Sequence, residues 1–194
     1  LKGNPTDEFQ TWEILSGKGG QGSYFNPTFL SPQGESQVTG HSTHIITDKA
    51  LDWLKKRNRK KPFLLCAQYK VPHIHRLPPP DHMSGYDDYE FPVPKTFFDD
   101  FSTRSPFVSK TWMALKGMKG HVLNIAPLES EIETNPKLIP PFLSEMTTKQ
   151  RKAWHQAYDP RNKRYRELEK QHKLQGDERN LYVYQRFIKD YVRC

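Results

Sequence analysis

Lys70 and His73 lie three positions apart in Tyr69-Lys70-Val71-Pro72-His73-Ile74-His75-Arg76, directly after the apolar run Phe63–Gln68. A lysine holds anionic oxygens, and a protonated imidazole donates its proton to a leaving alkoxide. The pair reads as chemistry on an anionic ester, or as a surface lysine beside a hydrogen-bonded loop histidine. His73 and His75 form H-x-H, with His82 near; His41 and His44 form H-x-x-H. A zinc site needs convergent ligands of defined geometry, which the first spacing leaves open. The second reads as surface or capping histidines. Asp87-Asp88 and Asp99-Asp100 could serve as metal or acid–base carboxylates. Adjacent side chains point in different directions, however, so turn and cap roles fit them better.

The elements around the Lys70–His73 loop read as α/β. Segment 42–57 has the spacing of a helix, capped by Ser42 or Thr43 and burying Ile46, Ala50, Trp53 and Leu54. After Pro62, Phe63–Gln68 reads as a strand buried on both faces of a parallel sheet, with Cys66 as a small buried hydrophobe. Ligands in such sheets bind at the carboxyl ends of strands, which is where the loop falls. Trp12–Leu15 reads as a short strand. The cluster Gly17–Gly22 lacks the Lys-Ser/Thr ending of a phosphate loop and reads as a turn. Downstream, Thr147 or Thr148 caps a helix to Tyr158, and Asp159-Pro160 opens another towards Leu174. A last helix carries Leu181, Tyr184, Phe187, Ile188, Tyr191 and Val192 on one face. That stripe makes its aromatics core, which argues against nucleic-acid binding.

Composition narrows the class. The 194 residues are 35% hydrophobic and include 16 prolines, which is lean for a self-sufficient domain. Irregular stretches beyond about 15 residues are uncommon unless functional. The net charge of +8 favours an anionic partner, yet much of it sits in Lys55-Lys56-Arg57-Asn58-Arg59-Lys60-Lys61. There it reads as an ordinary solvated connection at a helix C-terminus. Two distant cysteines, Cys66 and Cys194, make neither a disulfide framework nor a zinc site. No stretch reaches the roughly 18 apolar residues of a membrane span.

Five blocks in order resemble one family. They are Trp12–Leu15 with Gly22-Ser23-Tyr24-Phe25-Asn26-Pro27; Thr47–Leu54; Tyr69-Lys70-Val71-Pro72-His73; Phe98–Ser105; and Tyr184–Tyr191. Together they resemble the formylglycine-dependent sulfatases of the alkaline-phosphatase superfamily, in the mucin-desulfating and N-acetylglucosamine-6-sulfatase-like branch. The resemblance implies an alkaline-phosphatase-like domain with a mostly parallel sheet flanked by helices and long active-site loops. It implies that residues 1–194 are an internal part of one catalytic domain, cut at both ends. It implies sulfuric ester hydrolysis on a sulfated glycan, with formylglycine and calcium in the full-length enzyme. His73 is then catalytic, Lys70 contacts the sulfate or nearby sugar, and His75 and Arg76 are further substrate-binding candidates. Localisation by resemblance is secreted, periplasmic or lysosomal, with no nucleic acid and no membrane as partners.

Departures from the family pattern shape the expectation for this chain. No C/S-x-P-x-R occurs, since Cys66 is followed by Ala67 and Gln68 and Cys194 is last. No residue is assigned to a metal. The chain alone is therefore expected to hydrolyse nothing. The alternative is a non-catalytic basic module that binds anionic glycan or nucleic acid.

Overall fold

The computed structural model describes residues 8–17, 21–110, 115, 118 and 120–194. Lys18, Gly19 and Gly20 of the glycine cluster, and the opening Leu1–Pro5, lie outside the described residues. The chain forms two compact units, one of Leu1–His73 with Pro141–Thr147, the other of Ile74–Pro140 with Thr148–Cys194.

The first unit is built on a small sheet of β1 (Ile14–Ser16), β2 (Thr28–Ser31) and β3 (Gly34–Gln37), in order β1-β2-β3. Both pairings are antiparallel, with Leu15 opposite Phe29 and Phe29 opposite Ser36. Helix α1 (Ser42–Lys56) follows. Its N-cap is His41, whose Nδ1 accepts the Thr43 N–H at 3.3 Å, so the cap sits one residue earlier than the sequence predicts. Ile46, Ala50, Trp53 and Leu54 do share a face, but each is half-buried. Lys55 and Lys56 lie in the last turn, as suits the negative end of a helix. The short helix α4 (Pro141–Ser144) returns to this unit.

Phe63–Gln68 departs from expectation. The sheet described is antiparallel, and this run belongs to no strand. Leu64 is 73% exposed and Cys66 is exposed, not buried. A parallel strand is covered by neighbours on both edges, reached through long crossovers. None of the described strands lies beside it, so its apolar side chains face outward.

The second unit is helical: α2 (Pro106–Lys110), α3 (Glu129–Thr134), α5 (Thr148–Lys170) and α6 (Gly176–Arg193). Where two helices were expected around Asp159-Pro160, α5 is continuous with Pro160 inside it. An interior proline removes one backbone bond, but buried side chains hold both sides of it. Trp154 and Tyr158 stack at 4.7 Å before it, and Asn162 and Tyr165 are buried after it. Asp159 is not a helix cap: its carboxylate accepts the Glu129 N–H at 2.9 Å and meets His155 Nδ1 at 2.9 Å.

Helix α6 buries a different stripe from the one expected. Tyr191 and Val192 are 46% and 39% exposed, whereas Val183, Arg186, Asp190 and Arg193 are buried. These charges go inside because they satisfy one another and the backbone. Asp190 Oδ1 accepts from Tyr158 Oη at 2.9 Å and Arg193 Nη1 at 3.0 Å; Oδ2 accepts from Asn124 Nδ2 at 3.1 Å. Arg186 donates to the carbonyls of Leu123 and Arg161 and to Asn162 Oδ1. Buried ions persist only with such pairing. Burial pushes the Asp190 carboxyl up, against the pull of Arg186 and Arg193.

Candidate functional site

In the first unit, the segment 21–27 is shaped by one glycine. Gly22 adopts φ +60°, and a Cβ there would sit 2.9 Å from Leu15 Cβ on β1, so a side chain would be both strained and clashing. From this turn the chain enters Tyr24, which is buried. Asn26 then ties the segment down. Its N–H donates to Gly40 O at 2.8 Å, its Oδ1 accepts from Gly40 N at 3.0 Å, and its Nδ2 donates to Glu145 O at 2.8 Å. The Ser42 N–H donates to Tyr24 O at 2.8 Å, which fastens the start of α1 to the same stretch.

Tyr24 meets the candidate loop twice. Lys70 Nζ lies 5.2 Å from its ring centroid and donates to Gln21 O at 3.2 Å. The Tyr24 hydroxyl donates to the backbone carbonyl of His73 at 2.5 Å. A turn between the two residues closes through His73 N–H donating to Lys70 O at 3.0 Å. Tyr69 Oη lies 3.0 Å from Thr47 Oγ1 of α1. The blocks 22–27, 47–54 and 69–73, separate in sequence, thus converge. The backbone of His73 is fixed while its side chain stays exposed. Burial pushes the Lys70 ammonium below its usual range, and the Glu145 carboxylate pulls it back up. An ammonium that is partly stripped of water, on an aromatic face, is suited to an anionic ligand.

His75 and Arg76 fall in the second unit. His75 is half-buried. The Arg76 guanidinium donates to Val122 O at 3.2 Å and lies 4.1 Å from the Phe187 ring centroid. Its carbonyl accepts from Asn124 Nδ2 at 2.8 Å.

The acidic pairs resolve separately. Asp99 and Asp100 make the turns expected of them, accepting from Phe101 N and Ser102 N at 2.8 Å each. Asp87 is instead an ion-pair centre, 2.7 Å from Arg161 Nη2 and 2.6 Å from Arg193 Nη2. His41 is the cap of α1. Among the described residues no group of three or more His, Cys, Asp or Glu is placed to hold a metal ion. No described helix is long and apolar enough to cross a membrane.

Sequence reasoning missed Tyr24 as the residue that organises the loop. It lay inside the Gly22–Pro27 block, but an aromatic residue in a loop gives no signal of what its hydroxyl will reach. A pocket of ≈ 200 Å³ opens on the same unit, lined in part by Ser16, Ser23, Thr28, Gln37 and Glu145.

No protein-family model matches the chain. Over 186 residues, 95% of its length, it is 28% identical to the N-acetylglucosamine-6-O-sulfatase of Bacteroides thetaiotaomicron. The chain spans about a third of that relative, 33% of its length. It also matches the solved structure of BT4656 in complex with its substrate D-glucosamine-2-N,6-O-disulfate, with a TM-score of 0.83 and 28% identity. That match covers 95% of this chain and 37% of the other. The mixed helix-and-strand class and the resemblance to sulfatases therefore stand: over 95% of its length the chain is similar to part of a sulfatase.

Proposed function

We propose, from the premise that this chain is sulfatase-like almost throughout, that it supplies the leaving-group side of an active site that cleaves sulfate esters of a sulfated glycan. The observation that carries this reading is the double hold of Tyr24: its ring lies under Lys70 and its hydroxyl fixes the backbone of His73. The bracing sets a cation and an imidazole one turn apart. Lys70 binds a sulfate oxygen or a nearby sugar oxygen. His73, protonated, gives its proton to the departing alcohol oxygen as the ester bond breaks. His75 and Arg76, which belong to the second unit, stay separate substrate-contact candidates that only the resemblance implies. The residues described here do not fit the calcium or the formylglycine of the family: no metal-holding group is found among them, and the sequence has no C/S-x-P-x-R. On this reading residues 1–194 are an internal part of one catalytic domain of a longer enzyme, which the resemblance makes secreted, periplasmic or lysosomal.

The test is a pair of substrates in an enzyme that contains this chain. His73→Ala lowers kcat/KM far more for a sugar sulfate than for an aryl sulfate, because proton donation matters most to a basic leaving oxygen. Equal losses on both substrates remove His73 from the role. The 194-residue chain by itself turns over no aryl sulfate; measurable hydrolysis by it refutes the assignment of the nucleophile to residues elsewhere.

A further inference from the structure

The basic run at the end of α1 carries more positive charge than its local structure uses. Arg57 turns inward, donating through Nη1 to Leu54 O at 2.5 Å with its guanidinium 4.7 Å from the Phe63 ring centroid. Lys55 faces Asp52 at 3.9 Å. Arg57 satisfies a carbonyl of the last turn, Lys55 is taken up by Asp52, and Lys56 also lies in that turn, beyond which the helix field fades. Lys56, Arg59, Lys60 and Lys61 are exposed and form no ion pair among the described residues. Arg59, Lys60 and Lys61 lie past Lys56, the last helical residue, beyond the reach of that field.

The four cations are displayed on a fixed turn. The Arg57 N–H donates to Trp53 O at 3.0 Å, Lys60 N to Asn58 Oδ1 at 2.9 Å and Lys61 N to Asn58 O at 3.2 Å. Holding like charges together on an ordered turn costs self-repulsion, which a polyanion offsets by releasing its counterions. Four charges across six positions exceed what one sulfate group neutralises.

We infer that this turn, which precedes the Lys70–His73 loop in the sequence and belongs to the same unit, is a docking surface for a multiply sulfated polysaccharide. The inference rests on the proposed function for the choice of a glycan over other polyanions. That choice is supported by the similar solved structure, whose bound substrate is D-glucosamine-2-N,6-O-disulfate, a sugar carrying two sulfates.

The experiment measures binding of the 194-residue chain to heparin across a salt series, for the parent and for the combined variant Lys56→Gln, Arg59→Gln, Lys60→Gln, Lys61→Gln. The slope of log Kd against log salt drops by about 3 in the variant, at roughly 0.7–0.9 for each released counterion. Binding at low salt weakens by at least about tenfold. A control variant on α5, Lys163→Gln with Lys170→Gln, leaves the slope in place. An unchanged slope in the quadruple variant overturns the proposal. So does tighter binding to duplex DNA or to phosphatidylserine vesicles than to heparin at equal salt, lost in the same variant. Lys70→Ala separates this from the underlying reading: loss of D-glucosamine 6-sulfate binding there tests the sulfate site, and heparin docking persists whatever that outcome.

Discussion

Tyr24 and His73 are 49 positions apart, and the phenol of the first donates to the backbone carbonyl of the second at 2.5 Å. The bond holds the peptide of a residue that is itself exposed. Tyr24→Phe keeps the ring beneath Lys70 and deletes the bond. It costs about 0.5–1.5 kcal/mol, the usual net contribution of one hydrogen bond, read as a lower urea midpoint with unchanged m. The His73 amide also exchanges faster. A Tyr24→Phe chain with parent stability and parent exchange would show that the loop is held by something else.

The buried charges of α6 give a sharper case. Asp190→Ala leaves Arg193, whose side chain is 2% exposed, without one of its carboxylate partners. Breaking a buried pair from one side costs about 3–5 kcal/mol. Asn124→Ala removes a donor to both Asp190 and Arg76 O and also puts alanine at φ +52°, where Asn is tolerated and Ala is strained. Asn124→Gly is therefore milder than Asn124→Ala in the same denaturation series.

Pro160 sits inside α5 and forfeits a helix bond. Pro160→Ala restores that bond, and stability rises by about 1–3 kcal/mol, part of the roughly 3 kcal/mol an interior proline costs. A fall in stability would mean that the helix is shaped around the ring.

At alkaline pH the sign follows from three groups. Burial pushes Tyr158 well above its usual value, Tyr165 up to about 12 and the Cys194 thiol up to about 12. All three keep their protons in the folded chain at pH values where the unfolded chain has lost them. The folded state then binds more protons, so stability is full below pH 9 and falls as pH rises from 9 towards 12. Tyr158→Phe makes that decline shallower in urea melts taken across the range.

Helix α1, the turn roles of Asp99 and Asp100, and the ordered blocks around Lys70 and His73 were legible because each follows local chemistry: spacing, side-chain-to-backbone turns, motif order. Three features were not. Arg186, Asp190 and Arg193 recur at helical spacing as clearly as the apolar residues do. A hydrophobic reading assigns charges to solvent and cannot know that Asn124, Tyr158 and Asn162 wait to pair with them. Asp159-Pro160 carries a good start signal, overridden when the Trp154–Tyr158 stack and the buried Asn162 hold the helix together on both sides. The Phe63–Gln68 run is apolar enough for a core strand, but pattern alone does not say what covers it.

That uncovered run has a practical consequence. Leu64 at 73% and Phe63 at 51% exposure sit outside any ladder, and exposed apolar side chains beside unladdered backbone favour association of identical chains. Pro62, with no amide hydrogen, guards one end of it against such pairing. The isolated polypeptide should therefore self-associate with concentration, and a charge introduced at Leu64 should keep it dispersed in storage.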